Sequence, residues 1–262
     1  FSKERADGGL TPGHLVFKEE FEDFCNEDFS KALKNITKDK EPDKINIGGP
    51  GIVPLIHASQ MLYSTGSECR FYGCGGDDSD GKYIFSLLQK LGLPVTNYYL
   101  SGNITPSTIV LSDPDYDQGH GERIFINTIG AAWNYTPDKL DNDFFSSDIV
   151  VFGGTALVPE IHDNLSGLLE KAKSKGCMTV VNTVFDFRNE KLNPSKKWPL
   201  GKDDSSYRNI DLLITDYEEA LRLSGKKELD EALNFFRSLG TKAVIVTNGP
   251  NNIKGFAVKN NR

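Results

Sequence analysis

Short segments of the sequence place glycines or carboxylates where apolar stretches end. Three glycine-rich turns are IGGPG at 47–51, GCGGDD at 73–78 and FGGT at 152–155. Glycine lets the backbone approach a small molecule closely, and open α/β sheets bind ligands beyond the carboxyl ends of their strands. The turns therefore indicate a small-molecule site, and simple tight packing is the alternative interpretation of each one.

Two acidic residues follow the apolar segment 210–214. Asp216 and Glu219 are three positions apart at a predicted helix start, so their carboxylates share one face. Oxygen ligands of this kind suit Mg²⁺ or its bound waters. Helix capping is the alternative, because acidic residues are favourable in a first helical turn. Thr247 and Gly249 follow a further apolar strand, where a hydroxyl and a glycine can meet a phosphate.

Missing motifs and the overall composition argue against several classes of function. No segment matches GxxxxGK[ST] or a full GxGxxG, which argues against P-loop nucleotidases and dinucleotide dehydrogenases. The four cysteines have no CxxC spacing, so we expect reduced thiols of a cytoplasmic protein rather than a zinc site. A net charge of −7 argues against a nucleic-acid partner. No apolar run approaches the ~18 residues that a membrane span needs.

The elements that position these residues follow from the hydrophobic pattern. From Ile149 onward, predicted strands alternate with predicted helices, which is typical of a mostly parallel sheet covered by helices. Cys69–Tyr72 and Ile149–Phe152 are predicted as buried strands. Residues 107–111 and 123–127 are predicted strands around a polar loop, and residues 71–82 form a predicted strand–turn–helix corner with the helix from Gly81.

Taken together, the motifs resemble those of the ribokinase-like (PfkB) carbohydrate-kinase family, from about Thr11 to Val258. The matching segments are Thr11-Pro12-Gly13 at the start of the lid, Gly48-Gly49 in the substrate turn, the GDDxxG-like stretch 75–81, Gly121-Glu122-Arg123 with Gly130-Ala131, Asp216 to Glu219, and Thr247 to Gly249.

The resemblance implies a ribokinase-like three-layer α/β/α sandwich with a mostly parallel central sheet and a small β lid. The whole chain, 1–262, would be a single domain, incomplete at both ends, with lid elements at about 10–47 and 95–130. The lid would be a possible homodimer contact. The implied activity is transfer of the ATP γ-phosphoryl group to a hydroxyl of a sugar or related small molecule.

The resemblance also implies roles for individual residues. Gly48, Gly49 and Asp77 would bind the substrate, and Thr247 and Gly249 would line the ATP site. Asp216 and Glu219 would organise Mg²⁺ and its waters, with Asp216 also at the nucleotide. The catalytic residue is unassigned, since the expected aspartate of the family's GAGD segment would lie beyond Arg262.

The chain departs from the family pattern in its polar contacts. Asp216 stands where the family usually has Asn, which keeps an oxygen ligand and adds charge. Pro50 and Val53 replace the Lys and Asn of ribokinases, so ribose itself is not the expected acceptor. The alternatives are a non-catalytic sugar- or nucleotide-binding protein of the same fold, a nucleoside kinase, and an NAD(P)-dependent oxidoreductase built on the glycine turns.

Overall fold

The computed structural model describes residue 13 and residues 15–259. Thr11 and Pro12 of the predicted lid therefore lie outside the described residues. The strands are β1 (Leu15–Phe17), β2 (Gly73–Gly76), β3 (Tyr98–Ser101), β4 (Ser107–Asp113), β5 (Glu122–Thr128), β6 (Ile149–Gly153), β7 (Met178–Asn182), β8 (Leu212–Asp216), β9 (Ala243–Thr247) and β10 (Lys254–Ala257).

The helices alternate with these strands over most of the described chain. They are α1 (Lys18–Cys25), α2 (Phe29–Thr37), α3 (Ile52–Met61), α4 (Ser79–Lys90), α5 (Tyr116–Gly119), α6 (Pro159–Asp163), α7 (Leu165–Ser174), α8 (Phe187–Leu192), α9 (Tyr217–Ser224) and α10 (Leu229–Ser238). Within the described residues, none of them has the length and hydropathy that a bilayer crossing requires.

The chain divides into two compact units. The first contains the described residues up to Ile47, Gly75–Lys82 and Leu100–Ala131. The second contains Gly48–Cys74, Tyr83–Tyr99 and the described residues from Ala132 onward. The arrangement as one domain with lid elements at 10–47 and 95–130 stays a prediction.

The first unit is built on a three-stranded sheet in the order β1-β5-β4. β4 pairs with β5 in antiparallel fashion, which confirms the predicted strands around a polar loop, and β1 adds in parallel. Alternate residues of β5, Ile124 and Ile126, bury one face of the sheet against Phe21 of α1 and Ala32 of α2. This alternation is what a strand with one covered face requires.

The second unit is built on a five-stranded sheet in the order β10-β9-β8-β7-β6. Strands β6 to β9 are parallel and β10 is antiparallel, so the predicted mostly parallel sheet is confirmed. Residues of α7, α9 and α10 cover one of its faces, and the buried core includes Phe152, Val181, Leu213 and Val244.

The sequence predicts a buried strand at β6, but only one face of this strand is buried. Val150 and Phe152 face the core, whereas Ile149 and Val151 are 55% and 52% exposed. The reason is the two-residue period of a strand, which sends successive side chains to opposite faces. An unbroken apolar run therefore does not distinguish a strand covered on one face from one covered on both.

The prediction of a strand at Cys69–Tyr72 is also wrong, because the strand begins directly after these residues. It is β2, Gly73–Gly76, which consists mainly of glycines. Backbone groups supply the ladder, so a strand needs no large side chains. A side chain at Gly76 would place its Cβ only 2.3 Å from the Asn103 carbonyl oxygen. The predicted strand–turn–helix corner is confirmed, with α4 beginning at Ser79 rather than Gly81.

Candidate active site

Asp216 ends strand β8 and caps helix α9. Its Oδ1 accepts a hydrogen bond from the Glu219 N–H at 2.8 Å, and Glu219 Oε2 accepts in return from the Asp216 N–H at 3.3 Å. This reciprocal pair is a capping box, which satisfies two backbone donors that a helix start leaves free. The helix-capping interpretation of the two residues is therefore realised in the structure.

Glu219 also takes part in contacts that capping does not require. Its side chain is only 7% exposed, and its Oε2 accepts hydrogen bonds from the hydroxyls of Thr183 at 2.5 Å and Thr215 at 3.3 Å. Burial raises the pKa of the Glu219 carboxyl, the Thr183 hydrogen bond opposes that rise, and the Asp216 charge adds to it. A nearby cation would relieve the cost of this buried charge.

The carboxylate pair fits a hydrated cation better than a closed protein cage. In the described part of the chain, no group of three or more His, Cys, Asp or Glu side chains is arranged to hold a metal ion. Asp216 and Glu219 supply two carboxylates, and Mg²⁺ usually keeps several waters while binding one or two. Within the described residues, Oε1 of Glu219 accepts no hydrogen bond, so it is free to accept one from a metal-bound water.

Thr183 is the residue of this cluster that the sequence analysis misses. It follows strand β7 directly, as Asp216 ends strand β8. Its N–H donates to the Ile214 carbonyl at 3.0 Å, which holds it beside β8. The signal that could have found it is the polar pair Asn182-Thr183 at the end of an apolar strand, the same pattern that occurs at Asp216 and Thr247.

Thr247 lies beside Asp216 in the sheet. The two are register partners at the carboxyl ends of the parallel strands β9 and β8. Thr247 is exposed, and Gly249 two residues later has a φ of +50°. That backbone conformation favours glycine and makes the polar turn after β9.

The turn containing Gly48 and Gly49 meets the end of another strand of the same sheet. Gly49 has a φ of +117°, which requires glycine, and both glycines are exposed. The turn packs on β6, where a Cβ at Gly153 would lie 2.9 Å from both Gly51 Cα and the Pro50 carbonyl oxygen. Two inter-strand steps separate the ends of β6 and β8, which is about 10 Å.

Asp77 belongs to the first unit. Its carboxylate is exposed and pairs with Lys82 Nζ at 2.8 Å. Its neighbour Asp78 is the one that holds the corner together. Asp78 accepts from the Gly81 N–H at 2.8 Å and from both the N–H and hydroxyl of Thr105.

The predicted site residues of the second unit therefore share one edge of one sheet. Asp216, Thr247 and the neighbouring Glu219 and Gly249 lie at the ends of β8 and β9, and the turn with Gly48 and Gly49 lies at the end of β6. Their roles as ligands of substrate, nucleotide and metal stay predictions.

Comparison with known proteins gives a family. The model of the pfkB family carbohydrate kinases matches residues 41–257. Among solved structures, the chain is similar to Anopheles gambiae adenosine kinase in complex with P1,P4-di(adenosine-5) tetraphosphate. The TM-score is 0.70 at 17% identity, over 97% of this chain and 73% of that one.

Two further solved structures have the same fold. Ribokinase from Thermotoga maritima matches with a TM-score of 0.61 at 21% identity, over 85% of this chain and 67% of that one. A putative ribokinase II from E. coli in complex with ATP and Mg²⁺ matches with a TM-score of 0.62 at 19% identity, over 84% and 70%. The chain belongs to the pfkB family of carbohydrate kinases and has the ribokinase-like α/β fold that its motifs predict.

Proposed function

We propose that the protein transfers the γ-phosphoryl group of ATP to a hydroxyl of a sugar or a related small molecule. Family membership supports a kinase, and kinases of sugars and of a nucleoside are among the solved structures of similar fold. The observation that carries the proposal is the common sheet edge, where Asp216 and Thr247 are register partners and the glycine turn rests on Gly153.

Each residue at this edge has a distinct task in the proposal. The Thr247 hydroxyl donates to an ATP phosphate, and Gly249 leaves room for the nucleotide. Asp216 and Glu219 orient waters of a Mg²⁺ ion, and the bound ion supplies charge neutralisation of the phosphates. Gly48 and Gly49 present bare backbone to the acceptor. Asp77 is proposed as an acceptor-binding residue on the motif resemblance alone.

Positioning and charge account for most of the catalysis in phosphoryl transfer. The raised pKa of Glu219 fits this role, because a carboxylate whose charge is costly gains most from a cation nearby. We assign no catalytic base among the described residues. The proposal therefore concerns the binding of nucleotide and metal at the ends of β8 and β9, and of the acceptor at the glycine turn that packs on β6.

The test is a kinase assay of the full-length protein against a panel of sugars and nucleosides, with Mg²⁺ present and then chelated. We expect ADP release with at least one acceptor, lost on chelation. Glu219→Gln should lower the rate by roughly 10- to 100-fold, the usual effect of losing an outer-sphere metal partner. Glu218→Gln is the matched control, because Glu218 is the exposed neighbour on the same helix and should leave the rate unchanged.

Other outcomes of these experiments would favour one of the alternative functions. Sugar binding in calorimetry without ADP release from any acceptor would favour a non-catalytic binding protein. Tight NADH binding without ATP binding would favour an oxidoreductase. Equal losses in the two glutamate variants would remove the metal role from Glu219.

A further inference from the structure

A buried polar trio follows the glycine pair at the end of β6. Nδ1 of His162 lies 3.0 Å from the Thr155 hydroxyl, and its Nε2 lies 3.5 Å from Oδ2 of Asp186. Thr155, His162 and Asp186 are 5%, 3% and 2% exposed. Buried polar groups need partners, so this trio must hold a defined geometry or destabilise the fold.

The hydrogen-bond roles within the trio can be assigned from its surroundings. Asp186 already accepts from the N–H and side-chain amide of Asn189 at the start of α8, so it presents an acceptor to His162. The negative charge of Asp186 favours a proton on Nε2, which lies 3.5 Å from Asp186 Oδ2 and makes no hydrogen bond within the described residues, and Nδ1 then accepts from Thr155. Burial lowers the pKa of His162, with Asp186 and Asp163 acting against that shift and Arg188 with it.

Thr155 lies directly beyond the contact that carries the acceptor turn. Gly153 and Gly154 precede it in the chain; Gly153 packs on Pro50 and Gly51, and Gly154 packs on the Pro50 ring. A Cβ at Gly154 would lie only 2.2 Å from Cγ of the Pro50 ring. A shift of Thr155 would therefore move the glycine pair, and with it the turn.

We propose that His162 is a positioning residue for the acceptor turn, acting through the Thr155 hydroxyl while the Asp186 charge favours the tautomer whose Nδ1 accepts from Thr155. The inference rests on the proposed function for the role of that turn. The contacts by themselves predict the mechanical link, whatever molecule the turn binds. Loss of the Thr155–His162 hydrogen bond loosens the turn and weakens acceptor binding, while ATP binding at β8 and β9 is unaffected.

The test compares variants of the full-length protein by hydrogen–deuterium exchange. The reporters are the N–H groups of Val53 and Leu55, which donate to the carbonyls of Gly49 and Gly51. Thr155→Val should speed their exchange by about 3- to 10-fold, the effect of one lost hydrogen bond. Thr155→Ser keeps the hydroxyl and should restore the wild-type rates.

Thr241→Val is the matched control for the loss of a buried hydroxyl. Thr241 is 1% exposed and donates to the Tyr207 carbonyl at 3.2 Å, away from the turn. In kinetics, Thr155→Val and His162→Leu should raise the acceptor KM, with the ATP KM unchanged. Exchange at Val53 and Leu55 that is no faster in Thr155→Val than in Thr241→Val overturns the proposal.

A measurement on the wild-type protein covers the case in which these variants do not fold. Nitrogen-15 NMR of the His162 ring should show a neutral imidazole protonated on Nε2 at pH 7, and an imidazolium or an Nδ1–H ring overturns the proposal. Faster exchange in Thr155→Val without any kinase activity in the wild type supports the mechanical link and removes the proposed function. Kinase activity in the wild type together with unaltered exchange in Thr155→Val supports the proposed function and removes the mechanical link.

Discussion

Asp78 binds Thr105 through both oxygens of its carboxylate. Oδ2 accepts from the Thr105 N–H at 2.7 Å and Oδ1 from the Thr105 hydroxyl at 2.5 Å. The same hydroxyl accepts from the Gly76 N–H at 2.8 Å. One side chain thus ties the turn between β2 and α4 to the segment before β4, and in this motif it is Asp78 rather than Asp77 that has the structural role.

Asp78→Asn should destabilise the fold by about 1–3 kcal/mol, since it weakens charge-assisted hydrogen bonds. These bonds lower the pKa of Asp78 from 3.8 to about 2. A lowered pKa stabilises the fold above pH 3.8, and that stabilisation is lost as the pH falls toward 2. Urea unfolding from pH 2 to 7 measures both effects.

Asp77→Asn is the control for stability, because the Asp77 carboxylate is exposed and its partner among the described residues is the exposed Lys82. We expect little change in its unfolding free energy and a raised acceptor KM. A large loss of stability in Asp77→Asn, with none in Asp78→Asn, would contradict the division of roles.

Gly81→Ala should cost about 1–3 kcal/mol of stability, as overpacking does. The added Cβ would lie 2.0 Å from the Gly76 carbonyl oxygen and 2.9 Å from the Thr105 hydroxyl, so the corner must shift. Gly102→Ala is the matched control, because its added Cβ would have no atom of the described residues within 4 Å apart from its chain neighbours. Thermal or urea unfolding compares the two, and equal stabilities would show that the corner has room.

Glu219→Gln should separate stability from activity. The raised pKa means that the ionised carboxylate is costly in the fold, so stability falls as the pH rises through and above the ordinary value of 4.5. Glutamine keeps the capping box without that charge. The variant should be at least as stable as the wild type at pH 7 and show a flatter stability profile from pH 4 to 8, while its kinase rate falls. A marked loss of stability at pH 7 would contradict this.

Thr183→Val should lower the kinase rate by roughly tenfold, because Glu219 loses the hydroxyl that orients it. Thr183→Ser keeps the hydroxyl and should retain most of the rate. Steady-state kinetics at saturating substrates make the comparison, and the idea fails if serine and valine have equal effects.

Thr247→Val should raise the ATP KM by about 3- to 10-fold, the effect of one hydrogen bond to a phosphate, and leave the acceptor KM unchanged. Thr247 is exposed at the end of β9, so its loss should not disturb the fold. Kinetics with each substrate varied in turn test this, and an effect on the acceptor alone would reassign Thr247.

The local pattern of the sequence was sufficient for the fold class and for most elements. Alternating strands and helices after Ile149 predict the parallel sheet because a covered sheet needs apolar strands joined by amphipathic crossovers. Glycines and acidic residues at strand ends predict the edge at which Asp216 and Thr247 lie, because the carboxyl ends of parallel strands share one side. Both predictions depend on residues that are close together in the chain, so they can be made from the sequence alone.

The tertiary structure decided which side chains meet. Asp77 and Asp78 are equivalent as sequence letters, and only the approach of Thr105, 27 positions away, gives Asp78 the structural role. Likewise, Thr183 and Glu219 are 36 residues apart, and Thr155 joins His162 to a turn about 100 residues earlier in the chain. Such contacts depend on how elements pack, and packing follows from the whole chain rather than from any local pattern.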